Sequence, residues 1–115
     1  MTQIDKQYYK GIIIEESLEY KDVLHDVEIL KTKISDDGKW HIFTVLVSSD
    51  YFKKLSENIK DGTWYAHFWK DRDVVAVFKN TIISFNFDDK STWTEVLEYG
   101  RSLGIPEEQL DFVIS

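Results

Sequence analysis

The feature that most constrains this chain is the run at residues 63–87, TWYAHFWKDRDVVAVFKNTIISFNF. Trp, Tyr, Phe, Val and Ile dominate it, the residue types that suit a pleated, packed surface. Two polar breaks interrupt it, at Lys70-Asp71-Arg72-Asp73 and at Lys79-Asn80. Asn tolerates the left-handed conformation that a two-residue hairpin loop requires. The run therefore predicts three consecutive antiparallel strands. It holds two of the four tryptophans and four of the seven phenylalanines, so the rest of the chain must supply cover for it.

The turns set a register, and the register sorts the side chains. With Lys79-Asn80 as the loop, Phe78 faces Thr81, Val77 faces Ile82 and Ala76 faces Ile83. With two or four residues in the first loop, Trp69 faces Val74. Opposite residues share a face. An aromatic face then carries Tyr65, His67, Trp69, Val74, Ala76, Phe78, Ile83, Phe85 and Phe87. A mixed face carries Trp64, Ala66, Phe68, Val75, Val77, Ile82, Ser84 and Asn86. Both are largely apolar, unlike an antiparallel sheet with one wet side. An odd loop length would scramble this sorting.

The flanking segments supply further elements. Residues 8–15 (YYKGIIIE) predict a first strand. Residues 16–26 fit either a short helix capped by Ser17 or a packed irregular connection, with Leu18, Val23, Leu24 and Val27 roughly on one side. Residues 27–35 and 39–47 predict a hairpin around Asp37-Gly38. Its pairs are Ile34 with His41, Thr32 with Phe43 and Leu30 with Val45 on one face. Lys33 with Ile42, Lys31 with Thr44 and Ile29 with Leu46 lie on the other. Residues 49–60 predict a helix capped by Ser48 or Ser49, with Phe52, Leu55 and Ile59 at helical spacing and Gly62 past its end. Residues 91–103 predict a second, capped by Ser91 or Thr92 with Glu95. Its buried stripe is Trp93, Val96, Leu97, Gly100 and Leu103, with Gly100 allowing close approach to the sheet and Gly104 as its terminator. Pro106 opens a turn, and Leu110, Phe112, Val113 and Ile114 predict a tail that docks. The expected fold class is α+β: a mainly antiparallel sheet of five to six strands with two helices packed on one face, in a single domain over residues 1–115.

WYAHF (Trp64 to Phe68) and YGRSLGIP (Tyr99 to Pro106), with Ser17-Leu18 and Leu110-Asp111-Phe112, resemble a group of small bacterial and archaeal proteins of unassigned function. The resemblance covers most of the chain. It implies a small α+β domain and no activity for any residue.

Composition narrows the function classes. The formal charge is −7, and there is no cysteine. No disulfide, thiol nucleophile or cysteine metal site is available. An acid excess disfavours nucleic acid and anionic membrane surfaces as partners. No apolar run approaches the roughly 20 residues that span a bilayer. The start, MTQIDKQYYK, lacks the pattern of a signal peptide, and the expected location is cytoplasmic. No P-loop, G-x-G-x-x-G or G-x-S-x-G occurs, so no catalytic or cofactor-binding residue is assigned. His25, His41 and His67 show no ligand spacing, and no metal is expected. The acidic pairs fall mostly where turns are predicted.

The expected function is a non-enzymatic protein-interaction or self-associating module. If both helices cover the aromatic face, the mixed face stays open. Trp64, Phe68, Val75, Val77 and Ile82, extended by Trp40 and Ile42, then form an apolar interface for a homodimer or a protein partner. The alternative is that residues 16–26 and the first strand fold over this face. A rival function from another class is a small-molecule binder or enzyme with a pocket near His41, His67 and the aromatic face.

Overall fold

The computed structural model describes residues 8–112 and 114; Val113, named with the tail, and the first seven residues lie outside them. Six strands form one antiparallel sheet: β1 (Tyr8–Ile14), β2 (Glu28–Ile34), β3 (His41–Ser48), β4 (Ala66–Lys70), β5 (Asp73–Phe78) and β6 (Thr81–Asn86). Their order is β2-β3-β1-β4-β5-β6. Two α-helices, α1 (Tyr51–Asn58) and α2 (Thr94–Ser102), flank it, with 3₁₀ turns at Glu15–Ser17, Lys21–Asp26, Lys90–Trp93 and Glu107–Gln109. This is the expected α+β architecture. No helix among the described residues is long and apolar enough to cross a membrane.

The meander has the register its turns dictate. Trp69 pairs with Val74, Phe78 with Thr81, Val77 with Ile82 and Ala76 with Ile83. Each loop is two residues long and holds one residue in the left-handed region, Asp71 at φ 54° and Asn80 at φ 58°. The Asp37-Gly38 hairpin pairs Ile34 with His41, Lys33 with Ile42, Thr32 with Phe43 and Lys31 with Thr44. Beyond Lys31 the register shifts, so that Ile29 pairs with Val45 and Glu28 with Leu46. The expected pairings of Leu30 with Val45 and Ile29 with Leu46 are thus corrected: Leu30 is the extra residue of a bulge. β2 is an edge strand, exposed throughout. A bulge and the side chains of Lys31 and Lys33 both discourage a further strand from pairing there.

β1 joins the two hairpins. Gly11 pairs with Val45 on one side and with Phe68 on the other. A Cβ at Gly11 would lie 2.0 Å from Cδ2 of Phe68. Glycine is what lets the Phe68 ring lie over β1. Val45, Gly11 and Phe68 consequently form one row, and Phe43 and Val45 share the face of Phe68.

That face is covered by the two connections that cross it, residues 15–27 and 49–65. The Lys60 N–H donates to Ser17 O and the Glu19 N–H to Asn58 O, each at 2.8 Å, and Leu18 bridges Ile59. Residues 16–26 are the packed irregular connection, built of two 3₁₀ turns. Ser17 caps no helix; its buried hydroxyl donates to Ile14 O at 2.6 Å. Leu18 and Val23, with Tyr51, Phe52, Leu55 and Ile59, pack on Phe43, Val45, Val47, Ala66, Phe68, Val75 and Val77.

The aromatic face has its own layer. Trp93, Val96, Ile105, Leu110 and Phe112 pack on Trp69, Val74, Ala76, Phe78, Ile83 and Phe85. The helices thus take one face each, α2 the aromatic face and α1 the mixed face, which is why both faces of the meander are apolar. Gly100 leaves room for Leu110 of the tail: a Cβ there would sit 2.8 Å from Leu110 Cδ1. The cap before α2 is Asp89, whose carboxylate accepts from the Ser91 N–H at 3.1 Å. Thr92 instead accepts from the Asn86 N–H at the end of β6.

Among the described residues the C-terminal layer covers mainly β4, β5 and β6, with Ile12 of β1 at its margin. On β1, β3 and β2 the same face is half-open: Ile12, Ile14, Ile42, Thr44 and Leu46 are half-buried, and Lys10 of β1 and Lys31 and Lys33 of β2 are exposed.

Candidate functional site

The seven residues expected to form one interface are not brought together. Phe68, Val75 and Val77 are 0%, 5% and 0% exposed, beneath α1 and the first connection. Ile42 lies on the opposite face, because β1 pairs Ile14 with Ile42 and Ile12 with His67. Ile82, on edge strand β6, is 42% exposed. Trp40 and Trp64 do meet, edge to face, with ring centroids 5.2 Å apart. The expected open apolar patch is corrected to a covered one. The reason is the passage of both connections over a single face.

Trp64 packs against the margin of that covered core, and with Trp40 it also lines a different feature. A groove of about 490 Å³ runs where the C-terminal layer stops and the half-open sheet begins. Ile12 and Ile14 of β1 and His67 of β4 come from the sheet. Trp40, Thr63, Trp64 and Tyr65 come from the segments entering β3 and β4. Glu108, Gln109 and Asp111 come from the turn and tail after α2. Strand alternation places Tyr65, His67 and Trp69 in a row on one face. The His67 ring stands between Tyr65, at 6.3 Å, and Trp69, at 5.5 Å, and edge-on to Phe112 at 5.8 Å.

The tail is tied to this row. The Tyr65 hydroxyl donates to Gln109 O. Burial pushes the Tyr65 hydroxyl well above its ordinary range, and the negative charge of Asp111 pushes it further. The phenol is therefore held as a donor, and the carboxylate of Asp111 acts into the same space. Glu107 pairs with Arg101 at 3.1 Å, while Glu108 and Asp111 border the groove. Neither lysine nor arginine is among the described residues that line it.

Two other clusters have structural explanations. A hollow of about 330 Å³ beside α1 is lined by Tyr20, Asp22, Val23, Lys54, Glu57 and Asn58. There the Asn58 side chain accepts from the Tyr20 N–H at 3.2 Å and donates to Tyr20 O at 2.7 Å, and Lys54 pairs with Asp26. The second cluster is Glu15, Glu16 and His41, whose potential ligand atoms lie within 4.8 Å of one another. Glu16 accepts from the His41 backbone N–H at 2.8 Å and meets His41 Nδ1 at 2.7 Å. Lys21 stands 3.2 Å from Glu15. These contacts close the corner between β1 and β3. His41 and His67, expected beside one pocket, point to opposite faces.

Partial burial works to raise the Glu16 carboxyl, but the hydrogen bonds from His41 outweigh it and hold the group below its ordinary value of 4.5. A carboxyl lowered in the folded state stabilises the fold above its unfolded pKa, and the contribution is lost as pH falls through the folded pKa. Glu16→Gln should therefore cost about 1 kcal/mol or less at neutral pH, the scale of a solvent-screened pair. The gap should close in acid. Urea midpoints of both proteins between about pH 7 and pH 3 check this. A gap unchanged over that range would mean the carboxylate charge contributes nothing.

The sequence signals for the groove were Tyr65 and His67, through their alternation. Ile12, Ile14, Thr63, Glu108, Gln109 and Asp111 carried no signal of their own, since only the docking of the tail brings them together. Compared with protein-family models, curated proteins and solved structures, the chain matches none.

Proposed function

We propose that this chain is a small-molecule-binding domain, with its site in the groove between β1, β4 and the tail. The observation that carries the reading is the composition of that groove. Three large aromatic side chains and two isoleucines meet a histidine, an amide and two carboxylates in one concavity of about 490 Å³. Binding pockets of about 300–1,000 Å³ with apolar walls and few polar groups are the common form. The groove favours binding over catalysis: its phenol is committed to Gln109 O, and the remaining hydroxyl, Thr63, lies at an exposed turn. The protein-partner reading loses its site with the burial of Phe68, Val75 and Val77.

The four indole N–H groups report on the site. Trp40 and Trp64 line the groove, whereas Trp69 is buried and the Trp93 indole donates to Asn86 O at 2.9 Å. In an NMR titration with a library of small fragments, hits should shift the Trp40 and Trp64 indole signals and leave that of Trp93 in place. Hits that instead cluster around Tyr20 and Asn58, beside α1, would overturn the proposal.

A further inference from the structure

We infer that the groove takes a small organic cation, an alkylammonium head on a short apolar stem, an assignment that rests on the groove being the binding site. Trp40, Trp64 and Tyr65 are among the residues that line it, together with Glu108 and Asp111. Aromatic faces and carboxylates share one preference, since the ring quadrupole and the anion both attract positive charge. An anionic ligand would meet two carboxylates and no lysine or arginine among the described lining residues. Two of the chain's own cations stack on rings away from the groove: Lys90 lies 3.4 Å from the Trp93 ring centroid and Arg72 lies 4.9 Å from that of Phe87. Ile12 and Ile14 supply an apolar floor for the stem. The formal charge of −7 draws cations toward the surface as a whole.

The surroundings select a free cation over a basic peptide. Lys10, Lys31 and Lys33 are exposed on the half-open sheet, on the same face as the groove. An extended lysine- or arginine-rich segment leaving the groove across β1 and β3 would run into like charge. A compact cation whose head lies toward Glu108 and Asp111 does not reach them.

The test compares choline with its neutral isostere, in which a quaternary carbon replaces the nitrogen. Both are titrated into the full chain and followed by the Trp40 and Trp64 indole signals. Choline should bind at least about fivefold more tightly than the isostere, as aromatic cages discriminate. The pair Glu108→Gln and Asp111→Asn, both exposed positions, should weaken choline severalfold, leave the isostere unchanged and leave the thermal midpoint in place. Equal binding of the two probes would overturn the cation assignment while the groove remains the site. The same holds if neither probe binds although neutral fragments still shift Trp40 and Trp64. Fragments binding only elsewhere would remove the groove reading itself. A lysine-rich peptide that bound more tightly than choline would move the cation to a partner chain and overturn the small-molecule assignment.

Discussion

Phe112→Ala should lower the stability of this domain by about 3–5 kcal/mol, the cost of deleting a fully buried phenylalanine and leaving its cavity. The ring is 0% exposed. Its centroid lies 5.0 Å from Phe85, 5.4 Å from Tyr65, 5.6 Å from Trp93 and 5.8 Å from His67. Those neighbours come from β6, from β4 and the segment entering it, and from the turn before α2, so the ring locks three elements together. Phe112 also sits at φ 46°, a conformation a bulky residue adopts only when its surroundings hold it there. Removing residues after Gly104 should cost more, because Ile105 and Leu110 leave as well, and with them the Gln109 carbonyl that holds the Tyr65 hydroxyl. Urea unfolding followed by circular dichroism measures both changes. The expected result for Phe112→Ala is a lower midpoint with a similar slope. A midpoint equal to that of the parent would show that the tail does not dock. The groove would then lose its wall of Glu108, Gln109 and Asp111.

How far the sequence reached depends on what fixes each contact. Pairings within the meander were legible to the residue, because a two-residue loop leaves no freedom in which side chains oppose each other. The lower part of the β2–β3 hairpin was legible up to the bulge at Leu30, because the longer connection between Ser35 and Trp40 keeps the pairing that a turn centred on Asp37-Gly38 dictates. An edge strand can absorb an extra residue at little cost, and no turn residue announces it. The relation between hairpins was not legible. It depends on β1, far away in sequence, and on a parity: Gly11 aligns Val45 with Phe68, whereas a shift by one residue would have aligned Thr44 or Leu46 with Phe68 and put Ile42 on its face. The expected interface assumed the second parity. The apolar character of both meander faces already signalled that both are covered. The location of the groove was beyond local pattern, since it marks where the C-terminal layer ends on the sheet.

Val77→Glu should abolish folding or come close to it, while Ile82→Glu, its cross-strand neighbour, should change stability by roughly 1 kcal/mol or less. The two residues pair directly between β5 and β6 and share one face. Val77 is 0% exposed within the α1 layer, and Ile82 is 42% exposed at the sheet edge. Around Val77 stand Phe52, Leu55, Ala66 and Val75, all apolar and buried in the same cluster. A carboxylate there has no partner, and an unpaired buried charge costs several kcal/mol even after the group neutralises or the structure relaxes. Domains of this size are stable by only about 5–15 kcal/mol, so one such charge consumes most of that margin. The pair also separates two pictures of the mixed face. If the face were an open dimer surface, Val77→Glu would leave a folded monomer, with a normal thermal midpoint and half the mass by light scattering. With α1 lying over it, the same substitution gives loss of native circular dichroism at 25 °C or a collapse of the urea midpoint, and Ile82→Glu gives neither. A folded, stable Val77→Glu protein would require α1 to leave this face, and the placement of Phe52 and Leu55 against Phe68 would fall with it.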